Sequence, residues 1–291
     1  MPGILYIVAT PIGNLSDMTP RAIEVLSQVD MIAAEDTRHS RGLLTHFGIR
    51  TPAFSCHKFN EGKQGDFFVS ELTSGKNIAL ISDAGTPSIS DPGHQLVSMA
   101  AAAGIEVVAV CGANAAAAAL SISGFDVSRF IFLGFLPRTA KEQAVIWDMI
   151  SDSLNYPAVF YESPLRIHKT LEWLADTYPI ARACLCNDLT KKFERTYRGT
   201  PTEILAQLLD NPNAKKGEYT CVLSLPAKDN EKIEDIACIW SLEAQLVDIM
   251  IKNNCSLKDA TNMLHQILKP QRVSKKDIYA ATLQLKELLN G

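Results

Sequence analysis

Residues 82–93, "SDAGTPSISDPG", separate an apolar run from a helical pattern and contain two aspartates, two prolines and two glycines. The run "NIALI" before them is typical of a buried strand, and "HQLVSMAAAAG" after them is typical of a helix. In an open parallel sheet, ligands bind where strands end at their carboxyl side. We therefore expect residues 82–93 to contribute to a binding site.

The first 122 residues alternate between short apolar runs and helical patterns, with Thr19 and Pro20 marking the start of the first helix. This alternation predicts βαβ units and a mostly parallel sheet. Further along the chain, strands follow one another closely, which predicts a mixed sheet. We expect Ser163 with Pro164 to open one helix there.

The sequence thus predicts an α/β protein with two α/β domains, at 1–122 and 123–227, and a helical tail at 228–291. The tail is predicted to form a small helical bundle of helix-turn-helix type. Its capping boxes begin at Ser256 and Ser274.

Composition limits the class of protein. The net charge of −4 argues against a polyanion binder that works by bulk charge. Seven cysteines without framework spacing indicate a reducing cytoplasm, and Cys184 and Cys186 are expected on one face of a strand rather than on a metal. The start "MPGILYIVATP" predicts a first strand, not a signal peptide or a membrane span.

The loop at 82–93 is not a phosphate cradle, because the chain contains neither G-x-x-x-x-G-K-[ST] nor G-x-G-x-x-G. Its carboxylates would repel a pyrophosphate and favour a cationic, nucleoside-like ligand. Asp83 at the strand tip suits a ligand contact. Asp91, just before Pro92 and a helix, is more typical of a turn or an N-cap.

Six motifs carry a family resemblance. They are, in order, "LYIVATPIGNLSDMTPRAIEVL", "AAEDTRHSRGLL", "SDAGTPSISDPG", "FLGFLPR", "FYESPLRI" and "LTKKFER". From about residue 4 to 225 the chain resembles the ribosomal RNA small-subunit methyltransferases of the tetrapyrrole-methylase superfamily, which 2′-O-methylate a cytidine of 16S RNA in the decoding centre. The tail resembles that family's C-terminal appendage.

The resemblance implies two domains of tetrapyrrole-methylase type, S-adenosylmethionine as methyl donor and no metal. It also implies 16S RNA within the small subunit as substrate, a homodimer and a cytoplasmic location. Carried over residue by residue, the donor contacts are Pro11, Ile12, Gly13, Asp83, Gly85, Thr86, Asn114, Ala115, Tyr161, Glu162, Tyr219 and Thr220. The chain has Gly112-Ala113-Asn114 where the family usually has G-P-S, and "SCHKFNE" where it usually has "YHEHNE".

Three side chains are candidates for activating a ribose hydroxyl as base or cation: Lys191, Glu35 and Asp36. The alternatives are a solvated or phosphate-binding turn for Lys191 and a buried ion pair with Arg38 for the two acids. Predicted RNA contacts are Arg38, His57, Arg166, Lys192, Lys275 and Lys276. From Lys252 onward, seven lysines and arginines stand against three acidic residues, so the tail carries positive charge.

Two other functions stay open from the sequence. One is a methyltransferase of the same superfamily that acts on a tetrapyrrole or on a modified protein residue. The other is a non-enzymatic nucleic-acid-binding protein, which would leave the α/β domains unexplained. The motif "SDAGTP", in place of the superfamily's more usual "GDP" turn, and the basic "LTKKFERTYR" favour RNA methylation.

Overall fold

The computed structural model of the chain describes residues 1–57, 61–151, 156–225, 241–268 and 275–290. The chain divides into two compact units, Met1–Ala227 and Lys228–Gly291. The first unit contains two five-stranded sheets, and the described part of the second is helical.

The first sheet is parallel, in the order β3-β2-β4-β1-β5. Its strands are β1 (Ile4–Val8), β2 (Met31–Ala34), β3 (Ala53–Ser55), β4 (Ile78–Ile81) and β5 (Glu106–Val110). The helices of this half are α1 (Pro20–Gln28), α2 (Thr37–His46), α3 (Glu61–Thr73), α4 (His94–Ala102) and α5 (Ala115–Ile122). Thr19 caps α1 by accepting from the N–H of Ala22 at 3.1 Å, as predicted.

Apolar side chains cover both faces of this sheet. Leu26 of α1 packs in a cluster with Ile32 on one face, and Phe68 of α3 packs in a cluster with Leu80 on the other. All four residues of β4 are buried, which explains its unbroken apolar sequence. Because all five strands run the same way, the loops after them meet at one edge.

The second sheet is mixed, as predicted, in the order β6-β7-β10-β8-β9. Its strands are β6 (Ile131–Phe135), β7 (Ala158–Glu162), β8 (Arg182–Asn187), β9 (Arg195–Gly199) and β10 (Tyr219–Ser224). Only the β6–β7 pair is parallel among these described pairings. The helices here are α6 (Ala140–Ser151), α7 (Ile167–Thr177) and α8 (Pro201–Leu209).

The start of α7 differs from the prediction. Residues 163–166 form a turn in which the carbonyl of Ser163 accepts from the N–H groups of Arg166 and Ile167, each at 3.0 Å. The helix begins at Ile167, and Arg166 is an N-cap without a side-chain bond. The prediction of a helix opened by Ser163 and Pro164 was therefore wrong by one turn.

Helix α5 follows the last strand of the first sheet but packs against the second sheet. Ala116, Ala119 and Leu120 lie in one buried cluster with Val159 of β7 and Val222 of β10. This contact fixes the two α/β halves of the first unit against each other.

The second unit contains α9 (Leu242–Asn253), α10 (Leu257–Leu268) and α11 (Lys275–Asn290) around a core that includes Leu246, Leu264 and Ile278. The hydroxyl of Ser256 caps α10 by accepting from the N–H of Asp259 at 3.2 Å. Ser274 lies outside the described residues. Throughout the described ranges, no helix combines the length and apolar character that crossing a bilayer requires.

Candidate functional site

A cavity of about 410 Å³ lies at the carboxyl ends of the first sheet's strands, and the second half supplies its opposite wall. The predicted donor contacts that line it are Ile12, Asp83, Gly85, Thr86, Asn114, Ala115, Tyr161, Glu162, Tyr219 and Thr220. Pro11 and Gly13 precede and follow Ile12 but do not line the cavity. The structure thus brings ten of the twelve together, and their role in binding a donor stays a prediction.

The loop at 82–93 is held by a backbone pair with the end of the first strand. Thr10 and Gly85 exchange two N–H···O bonds, of 2.9 and 3.0 Å, which close the base of the cavity. Gly85 has a φ of 79°, and the non-glycine residues Ser88 and Ser90 have φ values of 69° and 68°. Such left-handed backbone in non-glycine residues is costly and concentrates at functional sites.

Three carboxylates from two segments converge on the cavity: Glu35 after β2, and Asp83 and Asp91 in the 82–93 loop after β4. The N–H of Asp83 donates to Glu35 at 3.4 Å. Burial, followed by the charge of Glu35, raises the pKa of Asp91 to about 6. Burial also raises the pKa of Glu35, although the hydrogen bond from the N–H of Asp83 opposes the rise.

Asp91 is not the N-cap of the helix that follows it. Gly93, with a φ of 127°, occupies that position, and no side chain caps the helix. The interpretation of Asp91 as an N-cap residue was therefore wrong. Its carboxylate lines the acidic wall of the cavity.

The start of α5 forms another part of the cavity. Asn114 is the N-cap of this helix, and its side-chain oxygen accepts from the N–H of Ala117 at 3.0 Å. Thr86 donates from Oγ1 to the carbonyl of Ala113 at 3.3 Å, which ties the 82–93 loop to the loop before α5. The asparagine therefore preserves a helix cap without the family's proline.

The second sheet contributes aromatic and apolar surface. Phe135 and Tyr161 contact each other with ring centroids 5.4 Å apart, and both line the cavity. The buried Tyr219 donates from its hydroxyl to the carbonyl of Ala214 at 2.8 Å, and burial raises its pKa to about 12. The hydroxyl of Tyr219 is therefore uncharged near neutral pH, and the residue lines the cavity without acting as an acid or base.

Glu162 also lines the cavity, but other protein groups occupy its carboxylate. Oε2 accepts from Arg166 at 2.9 Å and from Thr170 at 3.0 Å, and Oε1 accepts from the N–H of Ser163 at 2.7 Å. Arg166 Nη2 also donates to the carbonyls of Leu136 and Pro137. These bonds give Arg166 a structural role, and its predicted contact with RNA stays a prediction.

Lys191 lies beside the cavity rather than in its wall. Its Nζ donates to Glu218 Oε2 at 2.9 Å and lies 3.4 Å from Asp188 Oδ1; Glu218 lines the cavity. Partial burial alone lowers the pKa of Lys191, but its bonds to Glu218 and Asp188 outweigh this, and the net pKa is raised. Asp188 and Glu218 therefore hold Lys191 as a fixed cation.

Asp36 and Arg38 form an exposed ion pair at 2.9 Å, not the buried pair considered from sequence. Hydrogen bonds from the side chain and backbone of Arg38 hold the pKa of Asp36 at about 2. Asp36 also caps α2 by accepting from the N–H of Arg38. A carboxylate held this strongly in its charged form is a weak base.

The other predicted RNA contacts lie on different segments of the two units. Lys192 is exposed beside Lys191, and Lys276 is exposed on α11. His57 is half-buried and has bonding partners. Lys275 starts α11.

Several cavity residues were not among the predicted contacts. They are Ala84, Ile89, Ser90, Phe135, Ser163, Pro164 and Glu218, together with Asp91, which the sequence assigned to a turn. Most of them lie inside the quoted motifs "SDAGTPSISDPG", "FLGFLPR" and "FYESPLRI", so those motifs were the available signal. Glu218 lies beside Tyr219 in "GEYT".

The fold and a family model define the class. The model of the tetrapyrrole (corrin/porphyrin) methylases matches residues 4–205. A solved diphthine synthase has a TM-score of 0.60 at 14% identity and covers 76% of this chain and 90% of its own. A cobalt precorrin-4 methyltransferase has a TM-score of 0.56 at 15% identity, covering 78% and 96%. At these identities the likeness concerns the fold alone.

Curated relatives specify the branch. A protein of Haemophilus influenzae is 43% identical over 259 residues, or 88% of this chain and 91% of the relative. One of Pseudomonas aeruginosa is 41% identical over 283 residues, or 94% and 98%. Both carry the name ribosomal RNA small subunit methyltransferase I. The chain therefore belongs to the tetrapyrrole methylase family and, within it, to the group of ribosomal RNA small subunit methyltransferases I.

Proposed function

We propose that this chain transfers a methyl group from S-adenosylmethionine to the 2′-hydroxyl of a cytidine in 16S RNA of the small ribosomal subunit. Membership of the family supports methyl transfer, and the names of the relatives support ribosomal RNA as substrate. The structural observation that carries the proposal is the acidic cavity with a fixed lysine beside it.

The residues present fit the donor. The cavity volume lies in the range of small-molecule sites, roughly 300–1,000 Å³. Glu35, Asp83 and Asp91 face it, and no lysine, arginine or histidine is among its described lining residues. This charge pattern favours an ammonium and a sulfonium over a phosphate. When bound, the donor supplies an electrophilic methyl group on a positively charged sulfur. In the described ranges, no group of His, Cys, Asp and Glu side chains is arranged to hold a metal ion.

We assign Lys191 the role of a cation rather than that of a base. Glu218 and Asp188 hold its ammonium at the rim, and its raised pKa keeps it charged at neutral pH. A positive charge there stabilises the alkoxide that develops as a ribose hydroxyl loses its proton. It also attracts the neighbouring phosphate.

Of the remaining candidates for the base, Glu35 fits better than Asp36. The carboxyl of Glu35 lines the cavity, and burial moves its pKa toward the operating pH. Asp36 faces Arg38 and is far too acidic, with a pKa of about 2. We also propose, as the resemblance implies, that the enzyme works in the cytoplasm as a homodimer. Sedimentation of the purified protein tests the homodimer.

Transfer of labelled methyl groups tests the function. The purified protein is incubated with labelled S-adenosylmethionine and, separately, with unmethylated small subunits, free 16S RNA, tetrapyrrole precursors and a protein that carries a modified residue. We expect label in the RNA of the small subunits, at the 2′-position of one cytidine. Label in a tetrapyrrole or in protein instead, with none in RNA, would contradict the proposal.

A further inference from the structure

Phe193 exposes 69% of its surface between β8 and β9, close to the rim of the cavity. Removing a phenylalanine side chain from water stabilises a folded protein. The fold gains little of this from Phe193, so the contribution of its ring to folding is small.

The loop that carries the ring is well bonded. The N–H of Thr190 donates to Glu194 Oε2 at 2.7 Å, the N–H of Glu194 to the carbonyl of Lys191 at 3.1 Å, and the N–H of Lys191 to that of Asp188 at 2.9 Å. Asp188 and Thr190 hold φ values of 54° and 65°. The ring is thus presented from a defined backbone that accepts local strain.

Two exposed cations flank the ring. Lys192 Nζ lies over the ring of Phe193, 5.5 Å from its centroid, and Arg195 follows at the start of β9. Within the part of the chain that the structure describes, neither Lys192 nor Arg195 forms an ion pair. Lys191, two residues before the ring, bonds to Glu218 in the cavity wall, which places this loop next to the reaction.

We propose that Phe193 stacks on an unpaired base of the RNA that carries the acceptor ribose, while Lys192 and Arg195 contact the flanking phosphates. This rests on the proposed function and adds to it how the substrate is held. Unpaired bases stack on exposed aromatic rings, and cations beside such rings follow the backbone. A protein partner fits less well, because the cores of protein interfaces are depleted in lysine.

The test compares Phe193→Ala, Phe193→Leu and Phe193→Trp with Ile180→Ala. Ile180 is also 69% exposed and precedes the opposite end of β8, which makes it a matched control. Steady-state methylation of unmethylated small subunits gives KM and kcat, and calorimetry gives the affinity for S-adenosylmethionine. We expect the KM for subunits to rise about tenfold or more in the Ala and Leu variants. It should stay near the wild-type value in the Trp and Ile180 variants, with donor affinity unchanged in all four.

The outcomes separate the two proposals. A wild-type protein that does not methylate the subunits defeats the proposed function itself. If the wild type is active but Phe193→Leu has the same KM for small subunits, the stacking proposal is overturned and the proposed function stands. Leucine keeps the apolar volume of the side chain but lacks the flat ring. A changed sedimentation of Phe193→Ala with an unchanged KM also overturns the stacking proposal and assigns the ring to a protein interface.

Discussion

Lys191 Nζ and Glu218 Oε2 lie 2.9 Å apart, and this bond joins the loop after β8 to the wall of the cavity. The N–H of Glu218 in turn donates to Asp188 Oδ1 at 3.2 Å. The ammonium is therefore held from two sides, which fixes a positive charge next to the place where a methyl group would be transferred.

We expect Lys191→Met to lower kcat about 10²- to 10³-fold, the effect typical of losing one group that stabilises a developing negative charge, with donor affinity unchanged. Single-turnover methylation at saturating substrate measures the rate, and calorimetry measures the affinity. Lys191→Arg keeps the charge and should recover part of the rate. Near-normal turnover in Lys191→Met would leave this lysine only a structural role.

Gly13→Ala tests the placement of the Lys191 side chain from the loop after β1, which contacts it. A Cβ at Gly13 would overlap Lys191 Cγ and come within 3.0 Å of Thr190 Oγ1. We expect the lysine to be displaced and kcat to fall while the protein stays folded. Gly42→Ala is the matched control, because its new methyl group meets nothing within 4 Å and should leave kcat unchanged.

Asp83→Asn should weaken donor binding about ten- to a hundredfold, the usual effect of losing a charge-assisted hydrogen bond. Asparagine keeps the side-chain oxygen that accepts from the N–H of Asp36 at 3.3 Å, so the local backbone should survive. Calorimetry with S-adenosylmethionine measures the change. Equal affinities for the variant and the wild type would remove Asp83 from the donor contacts.

Asp91→Asn should make the ligand-free protein more stable near pH 7 and leave it nearly unchanged near pH 4. The native pKa of Asp91 is raised to about 6 from an ordinary value of 3.8, first by burial and then by Glu35. Between those values the native state binds the proton more tightly than the unfolded state, so the free energy of unfolding falls as pH rises through the window. Urea unfolding of both proteins at pH 4, 5, 6 and 7 checks this. A difference that does not grow with pH would contradict the raised pKa.

The double variant Lys275→Ala/Lys276→Ala tests the tail. If the start of α11 contacts phosphates, the salt dependence of binding to small subunits should flatten by up to about two in the log–log slope. Lys258→Ala, an exposed lysine of α10, provides the comparison within the same unit. An unaltered slope in the double variant would exclude these two lysines from the RNA contact.

Much of the cavity follows from the sequence because parallel strands end at one edge. The strand pattern predicted the loops that contain Ile12, Asp83 and Asn114, and the family resemblance assigned these three residues to the donor site. Asp91 was interpreted as a turn or N-cap residue because it stands just before Pro92 and a helix, and nothing local predicts that Ser88 and Ser90 adopt left-handed backbone.

The second half was harder to predict. Glu218 reaches the cavity through the antiparallel register that places Tyr219 opposite Glu162, and such long-range pairing has no local signal. Arg166 was predicted as an RNA contact, and the sequence "SPLRI" gives no sign of its bonds within the protein. The turn at 163–166 directs its guanidinium to Glu162 and to two backbone carbonyls instead.

The packing of α5 on the second sheet makes the two α/β halves unsuited to separation. A chain cut between residues 122 and 130 would leave Val159, Cys186 and Val222 of the second sheet without their cover unless the first fragment stayed attached. We expect the two fragments to be poorly soluble when produced apart and to reassociate when produced together. The two halves therefore form one cooperative structure rather than two independent modules. In chimeras that exchange the second half between relatives, α5 should be transferred together with the second sheet.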